Sequence, residues 1–338
     1  MTDRAALARS FLARAGWADA RRAPLAGDAS ARRYDRLRLG RRSAVLMDAP
    51  PGTGDDPADF LAISQHLTRI GLSAPRCLAQ DLPQGFLLLE DLGDALFAHL
   101  ADAGPAREAP LYAAATDVLV HLQQQPPPSG LPDLSAADWA RAAAFALQWY
   151  RFAVTGERPD DSTFIRRMTD VLTVHADGPR VLILRDFHAE NLLWLPHRQG
   201  LRRVGLLDFQ LGQLGQPAYD LVSLLQDARR DVTSPTEDAM IRRFADATGT
   251  AHQGLTAAMA ALGTQRALRI LGIFARLCLQ DAKPAYLPLI PRVWHHLQRN
   301  LAHPTLAAFA PLCADLLPPP APAALQRIAA RCGTCPKA

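Results

Sequence analysis

Two short apolar runs in the middle of the chain, residues 181–184 and 204–207, each lead into an aspartate followed by phenylalanine: Asp186-Phe187 and Asp208-Phe209. Runs of this length and composition read as buried β-strands. The first segment continues, Leu182-Ile183-Leu184-Arg185-Asp186-Phe187-His188-Ala189-Glu190-Asn191, so an asparagine follows its aspartate by five residues. The second reads Gly205-Leu206-Leu207-Asp208-Phe209-Gln210. Either aspartate alone is an ordinary turn or cap residue. The pair, with its asparagine, asks for a fold in which strand ends deliver two carboxylates and an amide.

Such a set has a chemical use. Phosphoryl transfer needs one carboxylate at the acceptor hydroxyl and oxygen ligands that hold magnesium against the nucleotide phosphates. The spacing Asp-x-x-x-x-Asn followed by strand-Asp-Phe matches the catalytic loop and magnesium aspartate of kinases, with Gln210 in place of the usual glycine. On this reading Asp186 orients and deprotonates the acceptor, and Asn191 and Asp208 hold magnesium.

The flanking sequence divides at about residue 92. Residues 4–16 carry Leu7, Phe11 and Ala15 at helical spacing. A turn at Gly27-Asp28-Ala29-Ser30, strands over 34–39 and 43–47, a helix opened by Asp55-Asp56-Pro57 and closed at Gly71, and strands over 77–79 and 86–89 follow. Beyond Gly93 the periodicity is mainly helical: a face at Leu111, Ala115, Val118 and Leu122, a capping box at Ser135 and Asp138, and helices over 219–228, 239–247, 265–279 and 287–301. The run Pro318-Pro319-Pro320 predicts a loosely packed tail. Residues 1–92 are thus expected to form a small α+β lobe and 93–338 a mainly helical one; the kinase-like motifs imply that the first binds nucleotide and that the second carries the catalytic loop and the acceptor site.

Composition narrows the setting. A chain of 338 residues, 49% of them hydrophobic, can bury the cores of two lobes. It shows no apolar stretch long enough to span a membrane and no signal-like start, so a cytoplasmic location is expected. The +4 charge comes with no dense basic run interleaved with aromatics, which argues against a nucleic-acid partner. Of five cysteines, Cys77, Cys278 and Cys313 lie in apolar surroundings, and Cys332 and Cys335 form a lone C-x-x-C without two further zinc ligands at comparable spacing.

These motifs resemble the aminoglycoside phosphotransferase and choline-kinase-like superfamily over nearly the whole chain. The resemblance implies an α+β, bilobal protein-kinase-like fold, with a small β-rich N-lobe and a larger, mainly helical C-lobe, and it implies use of ATP and magnesium. Glu90-Asp91-Leu92 is similar to the family's interlobe linker, which implies that adenine is met by the backbone near Glu90 and Leu92. Pro217-Ala218-Tyr219-Asp220-Leu221 is similar to the segment whose aspartate braces the catalytic loop, a support role for Asp220; a helix N-terminal residue facing the dipole is the alternative. Four stretches, Gly27–Tyr34, Val45–Pro51, Leu207–Gln210 and Leu271–Leu277, resemble the bacterial kinases that phosphorylate the C1 hydroxyl of N-acetylmuramate and N-acetylglucosamine in cell-wall recycling. Kinases of other small alcohols, and a nucleotide-binding pseudokinase, are the competing readings.

One departure stands out. Kinases carry a phosphate-binding lysine on the strand over 43–47, where this chain has Met47, and its only lysines are Lys283 and Lys337. Arg32 and Arg33, beside Ser30, are candidates for the missing cation because a guanidinium forks onto phosphate; solvated strand positions are the alternative. For the acceptor, His188 near the base and Arg276 are the candidate contacts. Between Gly254 and Asn300 the sequence has Arg266, Arg269, Arg276 and Arg292 but a single acid, Asp281, which suits an anionic acceptor better than a polycation.

Overall fold

The computed structural model describes residues 3–25, 32–52 and 56–335. The chain divides into two compact units, one formed by Met1–Ala103 with Ala189–Gly212, the other by Gly104–His188 with Gln213–Ala338. The first opens with α1 (Arg4–Arg14), capped by the Asp3 carboxylate, which accepts from the Ala5 N–H at 3.0 Å. Next come β1 (Arg21–Leu25), β2 (Arg33–Leu39), β3 (Arg42–Asp48), α2 (Pro57–Arg69), β4 (Cys77–Asp81), β5 (Phe86–Glu90) and the short α3 (Phe97–Ala101). The five strands form one antiparallel sheet in the order β1-β2-β3-β5-β4. β1 escapes the sequence patterns because it is an edge strand, largely exposed and carrying Pro24, which an interior strand would reject.

Strand alternation sorts this sheet into two faces. Leu37, Ala44, Leu46, Phe86 and Leu88 pack with Ala8, Phe11, Leu12 and Trp17, and the Phe11 and Phe86 rings stack at 5.6 Å. Val45 and Met47, opposite Leu89 and Leu87 in the ladder, belong to the other face. In α2, Asp56 caps the first turn by accepting from the Ala58 N–H at 2.8 Å, Pro57 sits at the first helical position, and Phe60, Ile63 and Leu67 are buried.

The second unit is mainly helical. It begins with α4 (Pro105–Gln123), α5 (Ala136–Ala143), a π-helical turn (Ala146–Arg151), α6 (Phe152–Thr155), α7 (Ser162–His175) and β6 (Val181–Ile183). The chain then contributes β7 (Leu192–Trp194) and β8 (Val204–Leu206) to the first unit, where they pair antiparallel with Leu192 opposite Leu206. Back in the second unit, β9 (Gln213–Gly215) pairs antiparallel with β6. The remainder is α8 (Tyr219–Leu225), α9 (Ser234–Thr248), α10 (His252–Asp281), α11 (Ile290–Leu301), α12 (Ala310–Leu316) and α13 (Pro322–Ala330). The Ser135–Asp138 capping box is present at the start of α5.

Two differences from the sequence expectations have physical causes. α10 starts at His252 rather than near Gln265, because its first half is rich in alanine and buried on several sides, so no apolar stripe stands out from a polar face. The tail after Pro318–Pro320 is docked, not loose. The prolines stop α12 and Pro322 starts α13, whose Ala324 and Ile328 are buried; the Gly333 N–H donates to the Cys278 carbonyl at 3.0 Å, and Arg331 Nη1 donates to the Phe152 carbonyl at 2.5 Å. All five cysteines are free thiols. No helix among the described residues is long and apolar enough to cross a membrane.

Candidate functional site

In the first unit, the β7–β8 ladder sets Asn191 and Asp208 side by side. Asn191 immediately precedes β7, Asp208 stands two residues after β8, and the Leu207 N–H donates to the Asn191 carbonyl at 2.9 Å. Asp208 has φ 54°, a left-handed conformation that a residue other than glycine adopts at some cost. Three neighbours stabilise it there. Phe209 is fully buried and stacks on Phe60 at 4.8 Å. Gln210 Nε2 donates to Asp208 Oδ1 at 2.9 Å, and Arg32 Nη2 lies 3.3 Å from the same oxygen.

This arrangement fits magnesium. The two candidate ligands offer hard oxygen donors, and among the described residues no group of three or more His, Cys, Asp and Glu converges. Magnesium binds in this manner, through one or two protein oxygens plus phosphates and water, whereas a structural zinc ion wants four protein ligands.

The lysine position behaves as a core site. Met47 is fully buried, opposite Tyr34 on β2 and Leu87 on β5. α2 carries no glutamate, only Asp59, whose carboxyl is pushed up by burial and then by Asp56. A lysine and a helix glutamate are therefore missing together, and Arg32, 8% exposed, is a buried guanidinium near Asp208. Arg33 is exposed at the start of β2, opposite Asp48, and Ser30 lies outside the described residues. At the end of β5 the Glu90 carboxylate bonds Arg198 at 2.7 Å and Arg76 at 3.1 Å, and its N–H donates to the Arg76 carbonyl at 2.8 Å. Leu92 packs toward Gly205, where a Cβ would come within 3.3 Å of its Cδ1.

In the second unit, the segment after β6 is pinned by Asp220. This fully buried carboxylate, in the first turn of α8, accepts from the Leu184 N–H at 2.6 Å and the Arg185 N–H at 2.9 Å. Burial pushes Asp220 up to about 7, against the pull of those two donors. Ser223 Oγ donates to the Arg185 carbonyl at 3.1 Å, and Arg266 on α10 donates to Ser223 Oγ at 2.9 Å and to the Gln226 carbonyl at 3.3 Å. Both backbone polar groups of Arg185 are thus held in a left-handed conformation, φ 70°, directly before Asp186. Asp186 itself is half-buried, and its N–H donates to the Leu184 carbonyl at 2.9 Å.

The two acceptor candidates differ in setting. His188 is buried; desolvation lowers its pKa, and Arg229 Nη1 lies 3.5 Å from Nε2, which makes Nε2 the acceptor of a neutral ring. Arg276 on α10 is half-buried, with its Nε buried and without a hydrogen-bond partner among the described residues. Sequence reasoning passed over Arg185 and the Ser223–Arg266 support. The signal for Arg185 was its place beside Asp186, and Arg266 was visible only as one arginine among several.

Comparison with known proteins agrees with this architecture. Residues 21–262 match the family described as phosphotransferase enzyme family. A protein of Caulobacter vibrioides named N-acetylmuramate/N-acetylglucosamine kinase is 39% identical, the match covering 90% of this chain and 94% of that protein. A protein of the same name from Pseudomonas aeruginosa is 34% identical over 89% of this chain and 91% of its own length. Among solved structures, a thermostable mutant of aminoglycoside phosphotransferase APH(4)-Ia, in ternary complex with ADP and hygromycin B, superposes with a TM-score of 0.56, covering 87% of this chain and 99% of that one at 16% identity. The expected α+β kinase-like fold is therefore present, and the chain belongs to the phosphotransferase enzyme family.

Proposed function

We propose that this chain is a cytoplasmic kinase that uses ATP and magnesium to phosphorylate the anomeric (C1) hydroxyl of N-acetylmuramate, N-acetylglucosamine or both, in the recycling of cell-wall sugars. The observation that carries this reading is the 39% identity, over 90% of the chain, to a protein named as a kinase of those two sugars. The site residues supply a consistent chemistry. The C1 oxygen attacks the γ-phosphorus, the bond from that phosphorus to the β–γ bridging oxygen breaks, ADP leaves, and the hydroxyl proton passes to the Asp186 carboxylate. An anomeric hydroxyl suits such a base because the ring oxygen withdraws density and makes it more acidic than the sugar's other hydroxyls.

Asn191 and Asp208 would hold magnesium, which when bound neutralises charge on the phosphates. Gln210 fixes one carboxylate oxygen of Asp208, and Asp220 fixes the backbone that carries Asp186. Residues 1–92 form the nucleotide lobe in this reading. Arg32 supplies the phosphate-facing cation, Ser30 and Arg33, close to it in sequence, are further nucleotide contacts, and the backbone at Glu90 and Leu92 meets adenine. Residues 93–338 form the catalytic and acceptor-binding lobe, with His188 and Arg276 as acceptor contacts.

The test is phosphorus NMR of the protein with ATP, magnesium and each sugar, beside an Asp186→Asn variant. A sugar 1-phosphate signal that the variant loses supports the reading. Phosphate at C6, or on a non-sugar alcohol, leaves a kinase with another acceptor; nucleotide binding with no transfer to any alcohol leaves a pseudokinase.

A further inference from the structure

Arg185 is held in an expensive way. Its left-handed backbone is disfavoured for a residue with a Cβ, yet Asp220 and Ser223 fix it there. Its side chain is half-buried, with Nε buried and no hydrogen-bond partner, and its guanidinium makes no hydrogen bond or ion pair among the described residues. Arg266 reaches Ser223, which bonds the Arg185 carbonyl, so this stretch of α10 runs beside Arg185. Arg269 stands one turn along the same helix from Arg266, half-buried and likewise without an ion pair among the described residues.

Asp186 and Asp220 attract Arg185, but neither forms an ion pair with it among the described residues. Asp220 is committed to two backbone N–H groups, and Asp186 is the proposed base. Desolvation and then the like charge of Arg269 lower the Arg185 pKa, so the two arginines repel each other in a setting that already disfavours charge. A glycine at 185 would relieve the backbone strain, and a neutral side chain at either position would relieve the repulsion. Such a pair in the free protein is an anion receptor waiting for its ligand.

We propose that Arg185 and Arg269 receive an oxyanion carried by the acceptor, the carboxylate of an acidic N-acetylated amino sugar, and so favour that sugar over its neutral counterpart. This deepens the amino-sugar kinase reading and rests on it. Arg185 is the residue next to Asp186, so a sugar whose hydroxyl meets the base brings its carboxylate to the adjoining side chain. Arg276 lies seven residues beyond Arg269, about 10 Å along the helix, past the point where Gly272 packs on the Phe145 backbone. The carboxylate role therefore goes to Arg269 rather than to Arg276.

The experiment is calorimetric titration of N-acetylmuramate and of N-acetylglucosamine into the wild-type protein, Arg269→Gln and Arg185→Gly. The expected result is at least about tenfold tighter binding of the acidic sugar by the wild type, as charged hydrogen bonds provide, with most of that margin lost in each variant. Both variants are expected to melt at or above the wild-type temperature, because each removes a repelled, unpaired charge. Equal affinity of the wild type for both sugars overturns the proposal, as does a margin that survives both substitutions. A margin that survives while affinity for a non-hydrolysable ATP analogue falls assigns the arginines to phosphate and overturns it too. Phosphorus NMR for sugar 1-phosphate is independent of these titrations, so failure of the kinase reading is told apart from failure of this one.

Discussion

Arg32 and Asp208, far apart in sequence, meet at 3.3 Å in the first unit, and Gln210 shares the same carboxylate oxygen. In the proposed nucleotide site, this mostly buried guanidinium beside the magnesium aspartate would follow phosphate charge when nucleotide arrives. Replacing it with a neutral side chain of similar length, Arg32→Met, is expected to raise the KM for ATP by about tenfold or more, roughly the worth of one charge-assisted contact. Arg32→Lys should recover part of the loss, since it restores the charge but not the fork. Steady-state kinetics with varied ATP decide the matter; an unchanged KM in Arg32→Met takes Arg32 out of the nucleotide site.

Restoring the usual kinase lysine should not help. Met47 is sealed in the sheet between Tyr34 and Leu87, and α2 has no glutamate to pair with a lysine there. Met47→Lys is expected to cost about 3–5 kcal/mol, the scale of an uncompensated buried charge, whereas Met47→Leu should cost under about 1.5 kcal/mol. Urea unfolding measures both. A stable Met47→Lys protein with tighter ATP binding would mean that position 47 is a phosphate site after all.

Asp220 links the loop before Asp186, the proposed base, to pH. Its folded value is about 7 against a usual 3.8, so between about pH 4 and pH 7 the folded protein binds a proton that the unfolded chain has released. The contribution of this group to stability is then full below pH 4, falls as pH rises, and levels off above pH 7, at about 1.4 kcal/mol per pH unit at most. In Asp220→Asn that slope should vanish, so the wild type loses ground to the variant between pH 4.5 and 7.5. Unfolding free energies at several pH values test this; a difference that is flat or grows in favour of the wild type contradicts it.

Much of the arrangement was readable because it is local. Asn191 and Asp208 sit at the ends of apolar strands, and strand ends are visible as breaks in hydrophobic runs; the caps at Asp56 and Ser135 are equally local. β1 was hidden because an exposed edge strand with Pro24 has no alternation to detect. The first half of α10 was hidden for the opposite reason, since a helix buried on several sides has no stripe. The burden on Arg185 could not be read at all. It arises from a φ value, from two backbone partners dozens of residues away, and from the lack of an ion pair among the described residues, and none of these has a sequence pattern.

Gly272 shows how a residue without a side chain can be decisive. A Cβ built there would lie 2.4 Å from the carbonyl carbon and oxygen of Phe145, at the start of the π-helical turn Ala146–Arg151. Those are backbone atoms, so no rotamer change makes room, and α10 must be pushed from its neighbour along a segment where both are buried. Helix propensity alone favours alanine over glycine by about 1 kcal/mol, but overpacking against backbone costs about 1–3 kcal/mol. Gly272→Ala is therefore expected to be destabilising, by up to about 2 kcal/mol net, in urea unfolding. Gly178→Ala is the control, because nothing lies within 4 Å of its Cβ position and its φ is outside the left-handed region. If Gly272→Ala proves as stable as Gly178→Ala, α10 can shift at this crossing, and the close packing that separates Arg269 from Arg276 is not a fixed feature of the fold.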